Sequence, residues 1–278
     1  MSVVRDVREV VDHRELLSNL TMRELRGMYK GTALGWAWSL VNPLASTLIF
    51  TVVFSAILKI VPPEGAGGLQ NYALFLLCGL LAWNFLSGCI NTGMGSLVGN
   101  GNLIKKTYFP RQLLVVSSVI AGGVTFAIEM LVLVLALTVF GVPPLLYVPL
   151  VVVFMVLLGL FGLGLGLMLS VLNVYFRDVA HFVGIFMQIW FYATPIIYPP
   201  SLVADAAAGG GWVERFRVED VYAINPMVGF VEVFRDLLYV QTLPSLATVG
   251  YLVVVTALVL LLGLVVFSRK QGRLAEEL

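Results

Sequence analysis

The chain is predicted to be an all-α integral membrane protein, and three observations carry that prediction. Of its 278 residues 59% are hydrophobic and only 12% are charged, with a mean hydropathy of +0.96. Ordinary soluble domains do not have this balance. Apolar runs of bilayer-crossing length recur from residue 36 onwards. Short breaks rich in charge, proline or glycine separate them.

An apolar helix needs about 20 residues to cross the hydrocarbon core. Six runs qualify: 36–58, 70–96, 112–140, 145–172, 179–198 and 247–268. Pro62-Pro63-Glu64-Gly65 closes the first, Pro143-Pro144 folds the third onto the fourth as a tight hairpin, and Pro199-Pro200 ends the fifth. Residues 1–35 come before the first span and residues 269–278 form a tail after the last. Residues 1–30 carry charge throughout and lack the apolar core of a signal peptide, so insertion is expected to rely on the first span.

Two regions are not expected to span. Over 13–30, Glu15, Asn19, Arg23, Arg26 and Lys30 lie along one stripe. Leu16, Leu17, Leu20, Leu25 and Met28 cover the other face, and Gly31 offers an exit. This suits an amphipathic helix on the inner leaflet, with a plain solvated helix as the alternative. Residues 200–246 hold Gly209-Gly210-Gly211 and then an amphipathic run over 221–240. In that run Val221, Ile224, Val228, Val231, Phe234 and Leu238 recur at helical spacing, and Asn225-Pro226 interrupts it early. An external re-entrant or surface-lying helical pair before the last span fits best.

Orientation follows from the basic residues. The tail to residue 30, the 97–111 loop, Arg177 and the C-terminal tail together hold thirteen of the 17. The other side holds Lys59, Arg215, Arg217 and Arg235. The positive-inside rule then places both ends in the cytoplasm.

Catalysis finds no support. None of the five lysines follows a glycine, so no P-loop is present. His13 and His181 lie far apart, and no paired carboxylates or Cys/His grouping appears on one face of a span. Cys78 and Cys89 share one apolar segment and read as buried reduced thiols. Gly159, Gly162, Gly164 and Gly166 lie within a span, where close helix packing explains them better than a nucleotide. A net charge of +1 gives no reason to expect nucleic acid. No catalytic, metal or cofactor-binding residue is expected in this chain. If energy is used, another subunit must supply it.

The informative residues sit in two turns and on two spans. The turn at Leu172 to Val179 (LNVYFRDV) places Tyr175, Arg177 and Asp178 between apolar runs, where only water or a partner can receive the charges. The turn at Asn102 to Arg111 carries Lys105, Lys106, Tyr108, Phe109 and Arg111. On the fifth span Phe182, Phe186 and Trp190 are spaced by four, with Tyr192 beyond them, and on the first span Phe50 and Phe54 are one turn apart. Aromatic faces stack on sugar rings, so these residues suit a polymer path. Lipid-facing or core positions are the alternatives, and Trp36, Trp38 and Tyr198 suit the membrane boundary. Glu129 is a lone carboxylate in the third span, either functional or bonded to a neighbouring helix.

Four stretches resemble the membrane subunit of ABC-2-type polysaccharide exporters, the permeases for O-antigen, capsule and teichoic acid polymers. They are Arg23 to Pro43 (RELRGMYKGTALGWAWSLVNP), Asn102 to Leu114 (NLIKKTYFPRQLL), Leu172 to Val179, and Asn225 to Leu238 (NPMVGFVEVFRDLL). The resemblance implies six spans, a homodimer and two copies of a separate ATPase subunit that binds ATP and Mg. It implies a lipid-linked polysaccharide substrate, a gate helix over 13–30, and ATPase coupling through 98–110 and 173–178. Residues 221–240 would be external gating helices, and Arg23, Arg26 and Lys30 would meet the lipid pyrophosphate. Arginine outnumbers lysine twelve to five in an Ala/Gly/Val-rich chain. That suits a high-GC source, and among exporters of this type the actinobacterial one for lipid-linked galactan. A permease for a drug or small lipid, or a membrane-embedded transferase, would be the other readings.

Overall fold

A computed structural model describes residues 3–31, 35–202, 222, 224–271 and 277. Among these residues the secondary structure is helical, with no strand. Among the described residues five helices are long and apolar enough to cross a membrane. They are α3 (Trp38–Phe50, prolonged as a π-helix over Thr51–Ile57), α4 (Tyr72–Gly99), α6 (Gln112–Val139), α7 (Val148–Tyr175) and α10 (Leu246–Lys270). The shorter helices are α1 (Val3–Asp12), α2 (Arg14–Tyr29), α5 (Gly101–Lys106), α8 (Val179–Tyr192) and α9 (Pro226–Arg235).

α4 is the centre of the bundle. Leu76, Cys78, Ala82, Leu86 and Leu97 have no exposed surface, and the helix packs on α6, α7 and α9. Small residues let the neighbours approach. A Cβ on Gly162 would lie 2.8 Å from the Cys89 Cβ, and one on Gly93 3.1 Å from the Gly166 Cα. Both cysteines are free and buried. α10 crosses α7 backbone to backbone at Gly164 and Gly263. Apart from its buried Ser39, Pro43 and Thr47, α3 shows most of its surface.

Three sequence expectations are corrected. The apolar run 179–198 is helical only to Tyr192; at 1.5 Å per residue its 14 residues cover about 21 Å, short of the roughly 30 Å core. Pro195 lacks the N–H a further turn needs. The coupling segment 98–110 is not one helix, since α4 runs to Gly99 and the independent helix is only Gly101–Lys106. The 173–178 segment begins inside α7, so only Phe176 to Asp178 form the turn.

Of the two readings of the 221–240 run, re-entrant and surface-lying, burial removes the second. Asn225 caps α9 by accepting from the Met227 N–H at 3.0 Å, and Pro226 begins it. Met227, Phe230, Val231, Val233 and Phe234 are fully buried, as are Leu237, Leu238 and Tyr239 in the π-helical turn Asp236–Val240 that follows. Only Ile224 of the expected stripe is exposed, and Val221 lies outside the described residues, as do Gly209-Gly210-Gly211, Arg215, Arg217 and Arg273.

Candidate functional site

α1, α2, α5, the α7–α8 turn and the last turn of α10 gather at one end of the bundle around a second apolar cluster. Leu20 of α2, Leu97 of α4, Ile104 of α5, Phe109 in the turn before α6, Leu113 and Leu114 of α6, Val171 and Val174 of α7, and Phe267 of α10 meet there. α2 is therefore seated on protein through Leu20 and Leu25, with Met28 left exposed. Gly31 exits at φ 76°, as its sequence position suggested. Arg26 and Lys30 are exposed. Arg23 is engaged within the chain: its Nη2 donates to Asn100 Oδ1 at 2.7 Å and to Glu24 Oε1 at 3.0 Å.

The basic turn divides its residues between the chain and solvent. Phe109 is 9% exposed, locked into the second cluster, whereas Tyr108 is 97% exposed. The two aromatics thus do not form a joint outward anchor; only Tyr108 is presented. Lys105 and Lys106 are exposed beside it and help line a cup of about 240 Å³ with Thr107 and Arg111. Arg111 also reaches back to the Gln271 carbonyl at the end of α10. On the neighbouring turn Arg177 and Asp178 are exposed. Tyr175 is half-buried under Lys270, whose Nζ stands 5.7 Å from the ring centroid. Asn173 is buried and donates to the Met94 carbonyl at 3.2 Å, tying this turn to α4.

The aromatic stripe of α8 is also divided. Phe182 and Phe186 are exposed, 67% and 57%, and Met187 is the one buried residue of the helix. Trp190 is half-buried edge-on to Trp83, with centroids 5.8 Å apart, and its Nε1 donates to Asn225 Oδ1 at 2.8 Å. Phe186 connects the two environments at 5.5 Å from Trp190. Tyr192 is exposed and its carbonyl accepts from the Tyr198 hydroxyl. On α3, Phe50 lies 6.3 Å from Phe191 and Phe54 stacks on Tyr72 at 6.5 Å. Both α3 rings are half-buried against α8 and α4. The Trp36 side chain lies outside the described residues.

At the opposite end of the bundle, Arg235 is 4% exposed. Its guanidinium lies 3.8 Å from the Phe75 ring centroid and donates to the Pro195 and Ile196 carbonyls, both at 2.6 Å. α9 does not span, and burial lowers this arginine to about 10, so it remains charged at neutral pH. Glu232, one turn earlier, is pushed upward by burial and by Asp236. Tyr239 joins the loop before α4, donating to the Leu69 carbonyl at 2.9 Å and accepting from the Asn71 N–H. Gln241 donates to the Val142 carbonyl in the α6–α7 hairpin at 2.9 Å. Arg235, Tyr239 and Gln241 thereby hold three connections with one short segment.

Glu129 is 8% exposed, on the face of α6 that carries Phe126, Met130 and Leu133. Among the described residues no group of three His, Cys, Asp or Glu side chains is placed to hold a metal ion.

Sequence reasoning gave no structural role to Trp83 or Tyr72, counted Arg235 only toward orientation and read Asn225 only as an interruption of the run. For Arg235 the signal was weak: it stands beside Asp236 and three residues after Glu232, so it does not read as a lone charge as Glu129 does. For Trp83 and Tyr72, inside a long apolar span, no such signal existed.

Comparison with known proteins agrees with this architecture. The O-antigen export system permease protein RfbA of Myxococcus xanthus is 29% identical over 277 residues, covering 99% of this chain and all of the relative. An RfbA permease of Klebsiella pneumoniae is 29% identical over 266 residues, 94% of each chain. The polysialic acid transport protein KpsM of Escherichia coli is 22% identical over 259 residues, 91% of this chain and 92% of its own. The profile of the ABC-2 type transporter family matches residues 15–239, most of the 278, and the chain belongs to that family.

Proposed function

We propose that this chain is the membrane subunit of an exporter that carries a lipid-linked polysaccharide outward across a bacterial plasma membrane. Two copies form the permease, each served by a separate ATPase subunit that binds ATP and Mg. Both ends of the chain lie on the cytoplasmic side. The relatives' names support the polysaccharide reading. One observation carries it: α8 turns Phe182, Phe186, Ile189 and Tyr192 out of the chain beside an equally uncovered α3. A second copy facing this wall would enclose an aromatic path on which sugar rings slide, since stacking holds them without the deep wells of hydrogen-bond clusters. Tyr108, Lys105, Lys106, Arg177 and Asp178 are exposed, as contact with an ATPase would require.

In the proposed cycle, ATP-driven closure of the ATPases pushes the turn at α5 and the Phe176–Asp178 turn. Arg26 and Lys30 attract the pyrophosphate of the lipid carrier at the membrane surface. The test is deletion of the gene in its native host. Loss of surface polymer with lipid-linked polymer accumulating inside supports the proposal. Intact surface polymer with heightened sensitivity to small amphiphiles would favour a small-lipid or drug pump.

A further inference from the structure

α8 stops after Tyr192, and the carbonyls a helix leaves unpaired at its C-terminus need donors. Its own last carbonyls are met locally, by the Ala193 and Thr194 N–H groups and the Thr194 and Tyr198 hydroxyls, whereas other helices supply donors to the turn that follows. Asn225 Nδ2 donates to the Ala193 carbonyl at 3.3 Å and to Thr194 Oγ1 at 3.1 Å. Arg235, at the far end of α9, takes the Pro195 and Ile196 carbonyls. The Tyr72 hydroxyl of α4 donates to the Ile197 carbonyl at 2.5 Å. Thr194 to Ile197 are buried. Both ends of α9 and the first turn of α4 thus grip one five-residue turn. The first half of α8 is more open, with Phe182, Ile185 and Phe186 all more than half exposed.

We infer that Arg235 and Asn225 are positioning residues for α8. They make residues 193–197 a fixed pivot, about which the Phe182–Phe186 stretch swings when the Phe176–Asp178 turn is pushed. The clamp would set the depth and tilt of the aromatic wall without touching substrate. Its transport consequence rests on α8 lining the polymer path; the pivot itself does not.

The test is hydrogen–deuterium exchange of the complete permease–ATPase complex in lipid nanodiscs, with and without a non-hydrolysable ATP analogue. Wild type is compared with Arg235→Lys, which keeps the charge but loses the fork, and Asn225→Ser, which keeps the α9 cap but not the reach to 193 and 194. In wild type, residues 193–197 should stay protected in both nucleotide states while exchange over 182–186 changes. Each variant should raise exchange at 193–197 at least tenfold and leave the α4–α7 contact region unchanged. Export should continue, with a broadened distribution of polymer lengths. Equal nucleotide response at 193–197 and 182–186 in wild type overturns the pivot, as does unaltered exchange there in both variants. A loosened turn with an unchanged length distribution keeps the pivot and refutes α8 as the path wall.

Discussion

Arg23 on α2 bonds to Asn100, 77 residues away, through Nη2 and Oδ1 at 2.7 Å. Asn100 ends α4 and is itself fastened by its Nδ2 to the Ser96 carbonyl at 2.8 Å. Leu20, one turn before Arg23, is buried against the same corner. The amphipathic helix is therefore tied to the α4–α5 corner.

This separates three cationic residues that look alike in sequence. Arg23→Ala is expected to loosen α2, read as faster proteolysis between residues 13 and 31 in membranes. Arg26→Ala with Lys30→Ala should leave α2 as resistant as wild type and lower export several-fold, by removing charge near the carrier pyrophosphate. Full export by the Arg26/Lys30 double variant would count against that contact.

The neighbouring aromatics should also part company. Phe109→Ala empties a packed position and is expected to cost about 3–5 kcal/mol, seen as a lower melting temperature of the solubilised permease. Tyr108→Ala removes a ring in contact with solvent, so melting should not change. If Tyr108 is the anchor for an ATPase pocket, the ATPase should instead be lost on co-purification. Retention of the ATPase with full ATP-linked transport would remove Tyr108 from the coupling contact.

The long spans were legible because their ends are chemically marked. The run 112–140 became α6 over Gln112–Val139, since Pro110 and Pro143-Pro144 bound it. The close-packed glycines of α7 could be read for the same reason, from their place within a span. The end of α8 was harder: Thr194-Pro195 marks it, but an apolar run past that point reads as span. The burial of α9 was legible only as one of two alternatives, the re-entrant one. Its stripe has the spacing of a surface helix, and what buries it is contact with α4, α7 and α10, far away in sequence. The hydrogen bonds of Arg235, 39 and 40 residues back along the chain, leave no periodic trace.

The α8 stripe offers a direct test of the polymer path. Phe182→Ala with Phe186→Ala should leave the yield of folded permease unchanged, because both rings are exposed in one copy, and should slow export of long chains several-fold. Trp190→Ala should lose stability instead, since its ring packs on Trp83 and its N–H bonds to Asn225. Single cysteines at 182 and 186, with Cys78 and Cys89 replaced, should react with a water-soluble thiol reagent during turnover. Protection of both in every nucleotide state would mean that the stripe faces lipid or a dry interface.

The crossing of α7 and α10 gives a stability prediction with an internal control. A Cβ at position 263 would lie 2.2 Å from the Gly164 carbonyl oxygen and 2.9 Å from its carbon. Both are backbone atoms, so no side-chain rotation relieves the clash, and the helices must separate. Gly263→Ala should therefore cost about 1–3 kcal/mol, as overpacking does in a close-packed interior. Gly250 lies on the same helix with nothing within 4 Å of its would-be Cβ. There alanine meets no obstacle and gains its helical preference, roughly 0.8–1.0 kcal/mol over glycine. Thermal unfolding of the solubilised permease should place Gly263→Ala below wild type and Gly250→Ala at or above it. If the two variants melt together, α7 and α10 do not cross at Gly164 and Gly263.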